Sequence, residues 1–397
     1  MKRKSLALCR RGKMAGSGHV PSCNLQYSTF NRIVTGLILV FVVLAGCTHA
    51  PYTPAPSTPA PLATPTLPPG EPALSDDEIA TLGSLERLDN FPLYTMRYAG
   101  AYPGPTLIAA GGLRPAHSAA IVTPWGCSLF AALGEPKGRL YGRNFDWRFS
   151  PALLLFTDPP DGYASVSMVD IEYLGFGGDQ AASLLDLPLD QRRALLETPA
   201  WPFDGMNERG LAIGMAAVPP GEMQPDPNKK TTDQLGIMRE ILDHAGTVDE
   251  AVDILGSFNV DMGSVPVHYL IASSAGDSAL VEFYQGEMLV FRNEDPWQLA
   301  TNFLVASVDG RTQGQCPRYD RVSQRLQETA GRLNIQDALS LLSNVSQGGP
   351  QAQSSTQWSV VYDMTRGDVN IVMGRKYGEK VHTIHLGRGE ASAATTW

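Results

Sequence analysis

Two strand-like segments closed by a five-residue turn constrain this chain more than any other feature. Cys127–Leu133 and Arg139–Asp146 carry aromatic and aliphatic residues, and Gly134-Glu135-Pro136-Lys137-Gly138 between them has turn composition. With Leu133 opposite Arg139, the ladder brings Cys127 opposite Phe145. Side chains alternate faces along a strand, so Arg143 and Phe145 share a face with Cys127. Arg143 is then a diagonal neighbour within reach of a long side chain. Asp146 ends the second strand, where a small bend can aim its carboxylate at the start of the first. Thiol, guanidinium and carboxylate are expected to converge. Taken singly, each has a plainer reading: a strand cysteine is a small buried hydrophobe, and Arg143 with Asp146 is an ion pair at a strand end.

Bulk composition narrows the function classes. The formal net charge is −9, and a diffuse acidic excess argues against a nucleic-acid partner or an anionic membrane surface. The seven histidines lack the pairings of a zinc site, and no metal or cofactor is expected. Cys9, Cys23, Cys47, Cys127 and Cys316 are odd in number and irregularly spaced, so they form no disulfide framework. Cys316 reads as a packed free thiol, although a Cys127–Cys316 bridge is open to an oxidising compartment.

Ile33–Leu44 is an uncharged apolar run preceded by Arg32. A membrane-spanning helix needs about 20 such residues, so the run fits a signal-peptide core better. It ends in Leu44-Ala45-Gly46-Cys47, which resembles the bacterial lipobox, where the cysteine becomes the first mature residue and carries lipid. Pro51–Pro69 alternates proline with small residues, the composition of an extended polyproline spacer. The expected organisation is a lipoprotein-type signal peptide over 1–46, a lipidated Cys47 with a Pro-rich linker over 47–73, a pro-segment over 74–126 and a catalytic domain over 127–397. The protein is expected to be exported and held at the bacterial cell envelope by the lipid anchor only.

Ser75-Asp76-Asp77-Glu78 reads as a capping box opening a helix through about Leu85. Strands are expected at Leu93–Tyr98 and Ala119–Thr123. Thr232–His244 has helical periodicity, and Thr247-Val248-Asp249-Glu250 caps a second helix into Leu255. Val267–Ser273, Ala279–Tyr284 and Met288–Arg292 form a meander. Arg318–Ala330 and Ile335–Leu342 read as helices, and Trp358–Asp363 with Val369–Met373 as a closing hairpin. Clustered strands separated by helical pairs indicate an α+β layered domain.

From Gly126 to Trp147 the text GCSLFAALGEPKGRLYGRNFDW resembles the nucleophile hairpin of the N-terminal-nucleophile hydrolases that cleave linear amides. That superfamily includes choloylglycine hydrolase, penicillin V acylase, acid ceramidase and N-acylethanolamine acid amidase. Its pattern places Arg 16 and Asp 19 residues after the Cys, and Cys127, Arg143 and Asp146 fit both spacings. Phe203–Leu211 (FDGMNERGL), Ala300–Phe303, Cys316–Tyr319 and Trp358–Tyr362 resemble four further family segments in order.

The resemblance implies a four-layer αββα sandwich of two antiparallel sheets between helices. It implies self-cleavage between Gly126 and Cys127, after which Cys127 is nucleophile and its α-amine the base. An α-amine titrates near 7.7–8.0, so part of it is neutral at about pH 7. Arg143 would favour the thiolate, Asp146 would orient the new ammonium, Asn302 would donate to the oxyanion and Arg318 would organise the pocket. Arg321 is the alternative to Arg318, and Asn207 reads as a structural turn residue. Substrates implied are small N-acyl amides, with the small and large chains staying associated after the cut.

One departure stands out. Choloylglycine hydrolases carry a second oxyanion Asn where this chain has Ala217, so a backbone N–H must substitute there or the oxyanion hole is weaker. The segment of about 53 residues from Leu74 to Gly126 resembles the acid-ceramidase branch. Both favour an N-acyl amide with an apolar acyl group over conjugated bile salts. Three rivals stay open: a Cys–His hydrolase using His117, His268 or His385, an inactive ligand-binding lipoprotein of the same fold, and an acyltransferase sharing the acyl-enzyme.

Overall fold

The structure is a computed structural model; it describes residues 72–104, 107, 126–221, 224–348, 354–387 and 391–395. The expected signal peptide, Cys47, the proline-rich spacer, the expected strand at 119–123 and His117 lie outside the described residues.

Local chemistry starts the helices. Ser75 and Thr247 each close a reciprocal capping box, with Glu78 and Glu250, at the heads of α1 (Asp76–Gly83) and α3 (Val248–Ser257). The strands are β1 (Glu86–Asp89), β2 (Leu93–Arg97), β3 (Gly126–Ala132), β4 (Leu140–Trp147), β5 (Ala152–Thr157), β6 (Ser165–Asp170), β7 (Asp204–Asn207) and β8 (Leu211–Ala217). There follow β9 (Lys230–Asp233), α2 (Gly236–His244), β10 (Phe258–Asp261), β11 (Val267–Ser273), β12 (Ser278–Tyr284), β13 (Glu287–Arg292) and β14 (Trp297–Ala300). The chain continues through α4 (Pro317–Thr329), α5 (Ile335–Asn344), β15 (Ser355–Asp363), β16 (Asp368–Met373), β17 (Val381–His385) and β18 (Ala391–Thr395).

Among the described residues these strands make two large sheets. The first runs β1-β2-β5-β6-β7-β8-β11-β12-β13, and the second runs β14-β3-β4-β15-β16-β17-β18. Within these two sheets neighbours are antiparallel except β2 and β5, and β9 and β10 pair in parallel as a separate two-stranded sheet. The sheets face each other: the Tyr141 hydroxyl donates 2.9 Å to the Leu270 carbonyl across the gap. At Gly214 a Cβ would lie 2.8 Å from the Tyr141 hydroxyl and 2.9 Å from Leu129, so glycine permits this approach. α2 and α3 cover the first sheet, whereas α4 and α5 cover the second. That is the αββα sandwich. Leu129, Tyr141, Phe145, Leu270 and Trp358 belong to the core between the sheets. Phe130, Leu140 and Leu299 face the other way and pack under α4 and α5.

The described part of the segment before Cys127, residues 72–104, is built into this sandwich. β1 and β2 extend the first sheet, and Leu82, Tyr94 and Met96 form a buried cluster with Leu153, Leu155 and Leu195. One element differs from expectation. The helix expected over Thr232–His244 begins at Gly236, because β-branched Thr231 and Thr232 pair in parallel with Asn259 and Val260. Asp233 Oδ1 then accepts the N–H groups of Leu235 and Gly236 and turns the chain into α2. Strands β5, β6, β14, β17 and β18 carried no distinct alternating signal. Among the described residues no helix is long and apolar enough to cross a membrane.

Candidate active site

The hairpin register is the expected one: Cys127 pairs with Phe145, and Leu129 with Arg143. Cys127 is 1% exposed on the face between the sheets. The Arg143 side chain rises beside it, with Nη2 3.9 Å from Sγ. Nη1 donates to the Phe203 carbonyl and the Asp204 carboxylate on the opposite sheet. Asp204 also accepts from the Tyr362 hydroxyl and from Trp358 Nε1 at 3.3 Å. Phe145 stacks on Trp358 with ring centres 4.1 Å apart and meets Phe203 edge-on, which makes an aromatic wall next to the thiol.

Burial pushes the Cys127 thiol up from its ordinary value; Arg143 and Arg318 oppose this and Asp146 reinforces it. Burial also works against the Arg143 charge, but Asp204 and Cys127 outweigh it and hold the guanidinium above its ordinary value.

Asn302 arrives by register. β14 pairs Ala300 with Leu129 and then leaves the ladder, and continuing that register two residues puts Asn302 beside Cys127. Its Oδ1 accepts the Cys127 N–H at 2.8 Å and Arg318 Nη2 at 2.8 Å, while Nδ2 donates 2.8 Å to the Ala217 carbonyl. Two donors on one side and a carbonyl on the other fix which way the amide points. Arg318 projects from the first turn of α4 and donates to the Cys127 carbonyl and, at 2.9 Å, to Ser128 Oγ. Arg321 instead donates to the Asn344 carbonyl.

Asp146 lies on the opposite face of β4, fully buried. It accepts from Thr356 Oγ1 at 2.5 Å and Gln347 Nε2 at 2.8 Å, with Arg318 at 3.9 Å. Burial raises its carboxyl above the usual range against the pull of those donors. In the intact chain, therefore, Asn302 holds the Cys127 nitrogen, and Asp146 anchors Gln347 and Thr356. Gln347 packs on Gly126: a Cβ there would lie 1.7 Å from its Nε2.

Asn207 is the expected structural residue, its amide bridging the Arg209 and Leu211 N–H groups to the Leu242 and Ala245 carbonyls. His268 pairs with Glu282 and His385 with Asp368. Cys127 and Cys316 are both free. Asp204, Thr356 and Gln347 were not singled out from the sequence. Asp204 stands within FDGMNERGL, and its role depends on a contact between sheets; Thr356 and Gln347 carry no local signal. Among the described residues no group of three or more His, Cys, Asp or Glu side chains is arranged to hold a metal.

Residues 202–395 match the family model of acyl-coenzyme A:6-aminopenicillanic acid acyl-transferase. That match supports the N-terminal-nucleophile hydrolase superfamily for this chain. Members of this superfamily include acyl amidases, acylases and acyltransferases. No curated protein matches the chain in sequence. Among solved structures, it is similar to the conjugated bile acid hydrolase of Clostridium perfringens, at 15% identity over 68% of this chain and 97% of that one, TM-score 0.48. Penicillin V acylase from Agrobacterium tumefaciens gives 19% identity over 66% and 87%, TM-score 0.46. A Caenorhabditis elegans ortholog of N-acylethanolamine-hydrolyzing acid amidase gives 15% over 60% and 93%, TM-score 0.39. At this level of likeness the fold assignment stands on the superfamily match and the layers described above.

Proposed function

We propose that the protein hydrolyses linear amide bonds of small N-acyl compounds, with Cys127 as nucleophile after the chain cuts itself at Gly126–Cys127. The observation that carries this reading is the grip on Cys127: its thiol faces Arg143, its N–H meets Asn302 and its carbonyl meets Arg318.

In the self-cleavage, Sγ attacks the Gly126 carbonyl carbon and the C–N bond breaks. The nitrogen gains a proton as the α-amine, and water then hydrolyses the thioester to a Gly126 carboxylate and a free thiol. With substrate the same steps recur: the α-amine takes the thiol proton, the thiolate attacks the amide carbonyl, the amine departs and water releases the acid.

The oxyanion would be met by two donors. Asn302 Nδ2 spends one hydrogen on Ala217 and keeps a second. The β8–β11 ladder uses the backbone groups of even-numbered β8 residues, as Val218 bonding Pro266 shows. The Ala217 N–H therefore turns away from β11, to the same side as its carbonyl and Asn302. It is the backbone donor that stands in for the absent Asn side chain.

The aromatic wall of Phe145, Phe203 and Trp358 supports an apolar acyl group. Residues 74–126 would stay bound after the cut, since β1 and β2 are strands of the first sheet and α1 packs beside β2. Lipidation at Cys47 would place the enzyme at the cell envelope. The acyltransferase family match favours one second reading, in which an amine instead of water takes the acyl group. Added hydroxylamine, an amine acceptor, separates the two by the ratio of hydroxamate to acid.

The test is intact-mass measurement of the wild-type chain and Cys127→Ala. Wild type should give two fragments parted before Cys127, whereas Cys127→Ala should stay whole and lack activity on N-acyl amides. A whole wild-type chain, or an active Cys127→Ala, overturns the reading.

A further inference from the structure

The loop that delivers Asn302 has no ladder of its own, yet Asn302 must meet three partners on two sheets and a helix. Three and four residues after it, two consecutive N–H groups are taken by one carboxylate: Val305 N donates 2.9 Å to Glu282 Oε1 and Ala306 N donates 2.9 Å to Oε2. Glu282 is 0% exposed in the middle of β12. A third contact, His268 Nδ1 at 3.1 Å from Oε1, comes from β11. Extending the β11–β12 register by one residue sets His268 and Glu282 opposite each other. Leu304, in the same loop, is 3% exposed.

We propose that Glu282, held by His268, is the positioning residue for Asn302: it pins the loop to the first sheet and so sets the distance from Asn302 to Cys127. The inference rests on reading Cys127 as the nucleophile and Asn302 as its partner. A buried carboxylate is an acceptor only, and it suits two N–H donors and an imidazole N–H together. An amide at 282 would turn donor hydrogens onto at least one of those donors. The loop would then shift, and a misplacement of about 1 Å near a reacting centre costs about 10²-fold in rate.

Two measurements test this. In the uncut Cys127→Ala background, hydrogen exchange of the peptide covering 302–308 should quicken at least about tenfold in Glu282→Gln. Glu282→Asp should restore most of the protection, and His268→Leu should give a smaller rise. Unchanged exchange in Glu282→Gln overturns the clamp whatever the enzyme does. In the Cys127 chain, self-cleavage followed by mass during cell-free synthesis should slow in Glu282→Gln and in Asn302→Ala. The double variant should be no slower than Asn302→Ala alone, because Glu282 acts through Asn302. Multiplied losses in the double variant would mean that Glu282 acts by another route and would overturn the proposal. A wild-type chain that stays whole, with the exchange result as expected, removes the self-cleavage reading and leaves the clamp standing.

Discussion

Asp204→Asn is the sharpest test of the contact between the sheets. Asp204 is 0% exposed and gathers three donors: the Arg143 guanidinium, Trp358 Nε1 and the Tyr362 hydroxyl. Asparagine keeps the size but removes the charge and offers one acceptor oxygen. Breaking a buried ion pair by removing one partner costs about 3–5 kcal/mol. Counting instead two donors left facing an amide, at about 1–3 kcal/mol each, gives a range that includes it. The expected loss is therefore about 4 kcal/mol. Urea unfolding followed by tryptophan fluorescence, in the Cys127→Ala background so that the chain is continuous, reads it directly. A second measurement separates stability from the site. Arg143 opposes the upward push of burial on the Cys127 thiol, so freeing Arg143 should move the pH profile of Cys127 alkylation to higher pH. A loss below about 1 kcal/mol with an unmoved alkylation profile would refute the idea that Asp204 anchors Arg143.

Other outcomes follow from single features. Burial holds the Asp170 carboxyl at about 7, against an ordinary 3.8. Between about pH 4 and 7 the folded chain thus keeps a proton that the unfolded chain has lost, and this contribution to stability falls as pH rises. Asp170→Asn should melt higher than wild type at pH 8, with the gap closing towards pH 4; parallel melting curves across that range would contradict it. Gly126→Ala should drive Gln347 off Asp146 and slow self-cleavage, read as intact mass against time; an unslowed cut would show that the Gln347 contact is dispensable. Cys47→Ser should remove the lipid mass and move the protein from the membrane to the soluble fraction; a variant that stays membrane-bound without lipid would refute the single-anchor reading.

Much of the site was legible because it is local. The turn at Gly134–Gly138 sets the β3–β4 register, and the register alone brings Arg143 to the Cys127 face. Capping boxes at Ser75 and Thr247 were equally visible, since their partners lie three residues away. The resemblance in five ordered segments named Asn302 and Arg318, but nothing in their neighbours said how they would be held. α2 starts later than its periodicity predicts because the residues ahead of it are claimed by a strand partner, Phe258–Asp261, some 28 residues later. Asp146 shows the limit from the other side: the hairpin predicts a carboxylate converging with Cys127 and Arg143, whereas Asp146 lies on the opposite face of β4 with partners Gln347 and Thr356 that are 201 and 210 residues away.

The sequence by itself determined which side chains stand near Cys127 along its own hairpin, and therefore the kind of chemistry the residue can attempt. Only the tertiary structure decided what holds those side chains in place. Asp204 braces Arg143 from the facing sheet, Ala217 orients Asn302, and Glu282 pins the loop behind it. The physical reason is one of range. Strand alternation and turn geometry act over a few residues and leave a readable pattern. A buried acceptor is satisfied by whichever donors the packed sheets bring to it, and that pairing leaves no periodic trace in the chain.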